Sequence, residues 1–277
     1  MFATIGHTFG LMKMSWRVLM KDRELIWFPI MGGAVLLIVV GIAAAIGNAT
    51  GTFDRLNNDS TNGQQANAGD AILGILVYAM ATFIVIFFNS ALIAAAMERL
   101  RGGDPNVSSG LRVALAHIHK IAGWALIAAT VGLILQMLRS RTDNFLGRIA
   151  IALVGGAWAY MTFFVVPVLV AEGLGPIDAI KRSGSLFRRT WGQQAVSGFG
   201  FGIVYIGAVL IALLPSILLF AIAPVVGIIV AVPLFALAIG TVMALEGIFK
   251  AALFEFANER EPMGFDSQTL SMAYRAL

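Results

Sequence analysis

The chain contains no cysteine and only 3 histidines among 277 residues. Disulfides, thiolate nucleophiles and cysteine metal sites are therefore excluded. Charge is the next shortage. Asp, Glu, Lys and Arg make up 12% of the residues, against roughly 25% in an ordinary soluble domain. Hydrophobic residues reach 59%, and the mean hydropathy is +0.87. So few charges cannot solvate so apolar a surface, which excludes a soluble enzyme, a disordered chain and a nucleic-acid-binding domain. The net charge of +4 then reports loop asymmetry in a membrane chain rather than a polyanionic partner. The first long apolar run starts near Leu25 and is too long for a signal-peptide core, so no cleavable leader is expected.

What the chain does have is apolar length. Crossing the hydrocarbon layer takes about 20 mostly apolar residues. Six runs qualify: 25–47, 71–97, 121–138, 149–171, 195–214 and 225–249. Without water to satisfy the backbone, each must be helical, so the expected fold is an all-α polytopic membrane protein. Pro167 and Pro233 fall inside the fourth and sixth runs, where each is expected to kink its helix or free a carbonyl.

Lys and Arg set the orientation. Lys13, Arg17, Lys21, Arg23, Arg99, Arg101, Arg112, Lys120, Lys181, Arg182, Arg188, Arg189, Lys250, Arg260 and Arg275 share one side, fifteen in all. Arg55, Arg139, Arg141 and Arg148 are left for the other. Both termini are expected in the cytoplasm, at the cell's inner membrane. The basic loop Arg139–Arg148 lies on the outer side of this scheme, so a hairpin over 121–171 that does not cross fully stays open as an alternative.

A repeat runs through the inner segments. Met97-Glu98-Arg99, Ala171-Glu172-Gly173 and Leu245-Glu246-Gly247 are spaced by 74 residues, as are Asp104 with Asp178 and Ser109 with Ser183. Before each odd-numbered run, apolar residues recur at helical steps. They are Ile5, Phe9, Met12, Trp16 and Leu19, then Val107, Leu111, Ala114, Ile118 and Ile121, then Ile177, Ile180, Gly184, Phe187 and Trp191. Basic residues occupy the opposite faces, the pattern of a helix lying in the headgroup plane. The expected architecture is one membrane domain over 1–277 with pseudo-repeats at 1–99, 100–173 and 174–250. Each is an amphipathic helix followed by a transmembrane hairpin, and 251–277 forms a cytoplasmic tail.

The run from Val168 to Ser183, with Glu172-Gly173-Leu174-Gly175-Pro176 at its centre, resembles the cytoplasmic signature of a broad prokaryotic membrane-protein group. That group includes stand-alone six-helix proteins and the membrane domain attached to some glycerophosphodiester phosphodiesterases. Ser15-Trp16-Arg17-Val18-Leu19 with Phe28-Pro29 is similar to an uncharacterised family of the same style. The resemblance implies a six-helix fold and membrane placement. It brings no activity and no site residues, and the phosphodiesterase reaction does not transfer.

Little else carries chemistry. His117 and His119 are two apart on a helix and point away from each other, so they cannot chelate one ion from one face. Gly198 and Gly202 form G-x-x-x-G, a close-packing spacing; the G-x-G-x-x-G phosphate pattern is absent. No nucleophile, base and orienting group converge, so no enzyme activity, cofactor or metal is expected. Polar residues inside apolar runs or at their inner ends are the remaining candidates, because they are costly at membrane depth. These are Asn89, Glu98, Glu172, Glu246 and Lys250. The glutamates either gather into a cation-binding vestibule or are held one by one by local partners. Arg17, Lys21, Arg112, Lys181, Arg182, Arg188 and Arg189 are candidate contacts to anionic lipid headgroups. Two functions follow: a channel or transporter acting as a homo-oligomer, or a membrane-organising protein that holds anionic lipid.

Overall fold

The structure is a computed structural model that describes residues 2–57, 67–142, 144–191, 201–222 and 224–265. Among the described residues there is no strand, as the loss of water from the backbone requires. Helix α1 covers Phe2–Lys21, and a single 3-10 turn at Arg23–Ile26 leads into α2 at Trp27–Ala49. Then come α3 (Thr52–Asn57), α4 (Ala68–Leu100), α5 (Val107–Ala116), α6 (Ile118–Ser140) and α7 (Phe145–Thr162). The chain continues through α8 (Val165–Ala171), α9 (Pro176–Trp191), α10 (Phe201–Ile222) and α11 (Pro224–Ala257).

Five described stretches are long and apolar enough to cross a membrane: Arg23–Ala49, Ala68–Leu100, Ile118–Ser140, Phe145–Ala171 and Val230–Ala257. The expected run at 195–214 lies partly outside the described residues; the described helix there, α10, covers Phe201–Ile222. Helix α11 passes through Pro233 and runs on to Ala257. Residues 251–257, assigned from the sequence to a tail, thus continue α11, within the candidate span Val230–Ala257. Ala251, Ala252, Leu253 and Phe254 are all buried in the core.

That core is one-sided. It joins the last turns of α4 and α11 to α8, and it is covered by α1, α5 and α9. The covering helices dock through most of the expected faces and add neighbours to them. Helix α1 packs Met12 and buries Leu19 as expected, adds Met14 and Val18, and leaves Trp16 exposed. Helix α9 packs Ile180 and buries Phe187, adds Ala179, Ser183 and Leu186, and leaves Ile177 outside. Helix α5 packs Val107 and Leu111, buries Ala114 and adds Gly110; it stops at Ala116, so exposed Ile118 and buried Ile121 belong to α6. Small residues among the additions let backbones approach. A Cβ on Gly110 would stand 2.6 Å from the Ala91 carbonyl oxygen and 2.6 Å from Phe28 Cζ.

Charged residues stitch the same end together. Arg99 bonds Asp22 through two nitrogens and Asp104 at 2.7 Å. Glu255, with a side chain only 2% exposed, accepts from Arg101 at 2.6 Å and Arg260 at 3.3 Å. At the opposite end, Asp70 accepts from Arg55 at 2.6 and 2.9 Å and from Thr52 at 2.7 Å. The hydrogen bonds that Arg55 donates to Asp70 raise the Arg55 pKa above its usual value, so the guanidinium stays charged. Asp70 also closes a capping box with Asn67 at the start of α4.

Candidate functional site

Thr162 returns its hydroxyl to the Trp158 carbonyl at 2.8 Å, a contact that tends to bend a helix. Five residues on, Pro167 has no N–H for the Phe163 carbonyl and its ring crowds that oxygen. The two effects end α7 at Thr162, and α8 starts at Val165 after a two-residue turn. The Phe164 N–H, released by the break, donates to the buried hydroxyl of Ser183 on α9 at 2.9 Å.

Beside this break lies a cleft of about 380 Å³. Every residue lining it belongs to one of the candidate spans. Its polar groups are Asn89 from α4, Thr162 from α7, and Glu246 and Lys250 from α11. Glu246 and Lys250 pair at 2.7 Å, with side chains 30% and 25% exposed. Four residues apart with Glu first, they have the favourable helical order. The Lys250 ammonium also lies 5.7 Å from the Phe163 ring centroid, a cation–π distance. Trp124, stacked on Trp158 at 5.9 Å, closes another wall. Asn89 is half-buried, and its side chain has no hydrogen-bond partner among the described residues.

The structure thus brings together three of the five polar candidates: Asn89, Glu246 and Lys250. It holds the other two elsewhere. Glu98 accepts the Ser109 hydroxyl at 2.7 Å, in the first turn of α5. Glu172 accepts from Arg182 at 3.0 and 3.1 Å, and Arg182 also reaches Asn258 at 2.9 Å. Among the described residues no group of three or more His, Asp or Glu side chains is arranged to hold a metal ion. Each repeated glutamate has its own partner.

The basic candidates divide as well. Arg17, Lys21, Arg112, Lys181 and Arg188 are exposed, whereas Arg182 is half-buried in its pairings. Arg189 lies within α9. Gly202 falls in the first turn of α10, but Gly198 is outside the described residues, and the G-x-x-x-G expectation with it. Sequence reasoning missed Thr162, Trp124 and Glu255. Thr162, five residues before a mid-run proline, carried a readable signal; Glu255 carried none once it was assigned to a tail.

With this geometry in hand, comparison with known proteins adds one result. The model of a family of unknown function, DUF6159, matches residues 68–264. The chain belongs to this family. The DUF6159 match takes in α4 through α11, and so every residue lining the cleft. No curated protein and no solved structure matches the chain.

Proposed function

We propose that the protein moves a solute across the membrane, using the cleft at the α7–α8 break. The observation that carries this reading is the meeting of Asn89, Thr162 and the Glu246–Lys250 pair inside otherwise apolar spans. Ionisable groups at membrane depth are costly and tend to mark pathways. Binding sites beside interrupted helices are a recurring transporter design. In this proposal six helices span, α10 included, as three hairpins with amphipathic helices on the cytoplasmic side, where both termini lie. The resemblance to the phosphodiesterase-attached membrane domain implies the same six-helix count, and the placement of Lys and Arg supports the orientation. The protein works as a homo-oligomer in the inner membrane, without a catalytic step or cofactor. The test is solute release from liposomes containing the purified protein. Lys250→Met and Glu246→Gln are expected to cut the rate at least tenfold; unchanged rates in both overturn the proposal.

A second reading has its own support. Lys13, Arg17, Lys21, Arg112, Lys181 and Arg188 are exposed, while the apolar sides of the same helices are docked on the protein. Basic residues held at an anionic surface contribute about 1 kcal/mol each, so this side would bind and organise anionic lipid. Binding to vesicles with and without phosphatidylglycerol, repeated with Arg17→Gln and Arg188→Gln, measures that role. Vesicle binding that ignores both lipid charge and the substitutions rejects it.

A further inference from the structure

A second cavity lies across the α4–α11 seam from the cleft. It is a groove of about 670 Å³ between α2, α4 and α11. Apart from Asn89, its lining is aliphatic, aromatic, glycine, proline and methionine. Asn89 lines both cavities.

The groove has a direction. Helix α2 enters at Pro29, and a Cβ on Gly240 would lie 3.7 Å from Pro29 and 3.5 Å from Ile30. Two turns further along α11, Gly247 sits against Leu92 of α4. Asn89, Leu92, Met243 and Pro29 therefore mark one end, next to the packed core, while Leu37 and Val232 mark the other. From Pro29 to Leu37 the α2 wall rises about 12 Å, and from Ala231 to Met243 the α11 wall covers about 18 Å, at 1.5 Å per residue. One leaflet of a bilayer has about 15 Å of hydrocarbon, half of roughly 30 Å. The groove is one leaflet deep.

We infer that the cargo of this protein is a zwitterionic lipid, held with one acyl chain in the α2–α4–α11 groove and its head at Asn89. The inference rests on the transport reading in taking the neighbouring cleft as the place where cargo is handled. Three features converge on this occupant. The groove is apolar along its length and matches an acyl chain in depth. Its single polar side chain lies at the end where a head would be, and that side chain has unused donors and an acceptor. Beyond it the cleft presents a cation and an anion as a pair, which complements a head bearing both signs. A polar solute gains nothing from the groove, and a purely apolar one leaves Asn89 unsatisfied.

Glycines supply a clean test. Gly33 lines the groove, and a Cβ added there meets nothing within 4 Å. Gly33→Leu therefore puts a side chain into the groove from a position whose Cβ has open space. Replacing glycine in a helix interior also favours the helix, so failure to fold does not explain a loss. Gly74 is equally open but lies outside the groove, and Gly74→Leu is the matched control. The full chain in non-ionic maltoside micelles, free of other zwitterionic lipid, is mixed with phosphatidylethanolamine carrying a photoactivatable diazirine on one chain. Labelling that excess unlabelled phosphatidylethanolamine competes away is mapped by peptide mass spectrometry.

Competable labelling is expected on α2, α4 and α11 around Asn89. It should fall at least tenfold in Gly33→Leu and about tenfold in Asn89→Leu, and stay unchanged in Gly74→Leu. Diacylglycerol and phosphatidylglycerol bearing the same chain should label at least fivefold less. No competable labelling, equal labelling of Gly33→Leu and Gly74→Leu, or equal labelling by diacylglycerol overturns the inference. Competable labelling in a protein that releases no solute and moves no lipid leaves the lipid site standing and removes the transport reading. Solute release that needs Lys250 but comes without competable labelling does the reverse.

Discussion

The two ends of this molecule are held by different physics. At the packed end, α1, α5 and α9 cover the last turns of α4, α8 and α11, and exposed charges such as Asp104 and Arg260 meet water. There the burial of Leu19, Phe164 and Phe254 removes apolar surface from water, at about 25 cal/mol per Å². At the far end, Leu37, Ile38, Ile72, Leu76, Leu146 and Leu153 point outward from candidate spans. Lipid tails are as apolar as leucine, so those side chains gain nothing by turning inward. The far end is therefore sparsely packed and relies on the polar knot of Thr52, Arg55 and Asp70. A single chain uses hydrophobic burial at one end and a knot of paired charge and hydroxyl at the other.

Substitutions can break that contrast, and the largest effect belongs at the packed end. Phe254→Ala, at a side chain 1% exposed, should lower stability by about 3–5 kcal/mol, measured as the drop in unfolding midpoint in detergent micelles. Arg101→Met strips Glu255 of its shortest partner. Because the arginine itself is 44% exposed and Arg260 remains, the expected loss is smaller, about 2–3 kcal/mol, by the same measurement. Gly110→Ala forces a Cβ against the Ala91 carbonyl and should cost about 1–3 kcal/mol. A comparable drop from a far-end alanine would show that both ends pack alike. Asp70→Asn is expected to speed hydrogen exchange in α3 and the first turn of α4 while protection of α11 near Phe254 stays put. Ile38→Ala, at a residue 61% exposed, should change the midpoint by no more than about 0.5 kcal/mol.

The sequence made the far end readable and the packed end only partly so. Spans such as 71–97 and 149–171 announce themselves by length, because lipid imposes a minimum run. The amphipathic helices were also visible, but not the full width of their docked faces. Periodicity follows the large apolar residues, whereas docking also drew in Gly110, Ala179 and Ser183, which let helices approach. The repeat misled in one place. Gly173 follows Glu172 with φ of 63° and turns the chain into α9. Gly247 follows Glu246 in the same motif, yet α11 continues through it; a Cβ there would stand 2.5 Å from Leu92 Cδ2. One glycine serves a turn, the other a contact, and sequence spacing does not separate the two. Of the candidate site, Asn89, Glu246 and Lys250 were legible as misplaced polarity. Their shared cleft was not, because it depends on where Thr162 and Pro167 break a helix that hydropathy shows as continuous.

The hydrogen bond from the Phe164 N–H to Ser183 also has a mechanical reading. Helix α9 carries exposed Lys181 and Arg188 on one side and, on the other, the hydroxyl that fastens the interrupted wall of the cleft. It is a lever with its handle on the surface and its fulcrum inside the protein. That hydroxyl holds the α7–α8 span at the point where its backbone ladder is open. Exposed charge and the fastening of the cleft wall thus share one helix.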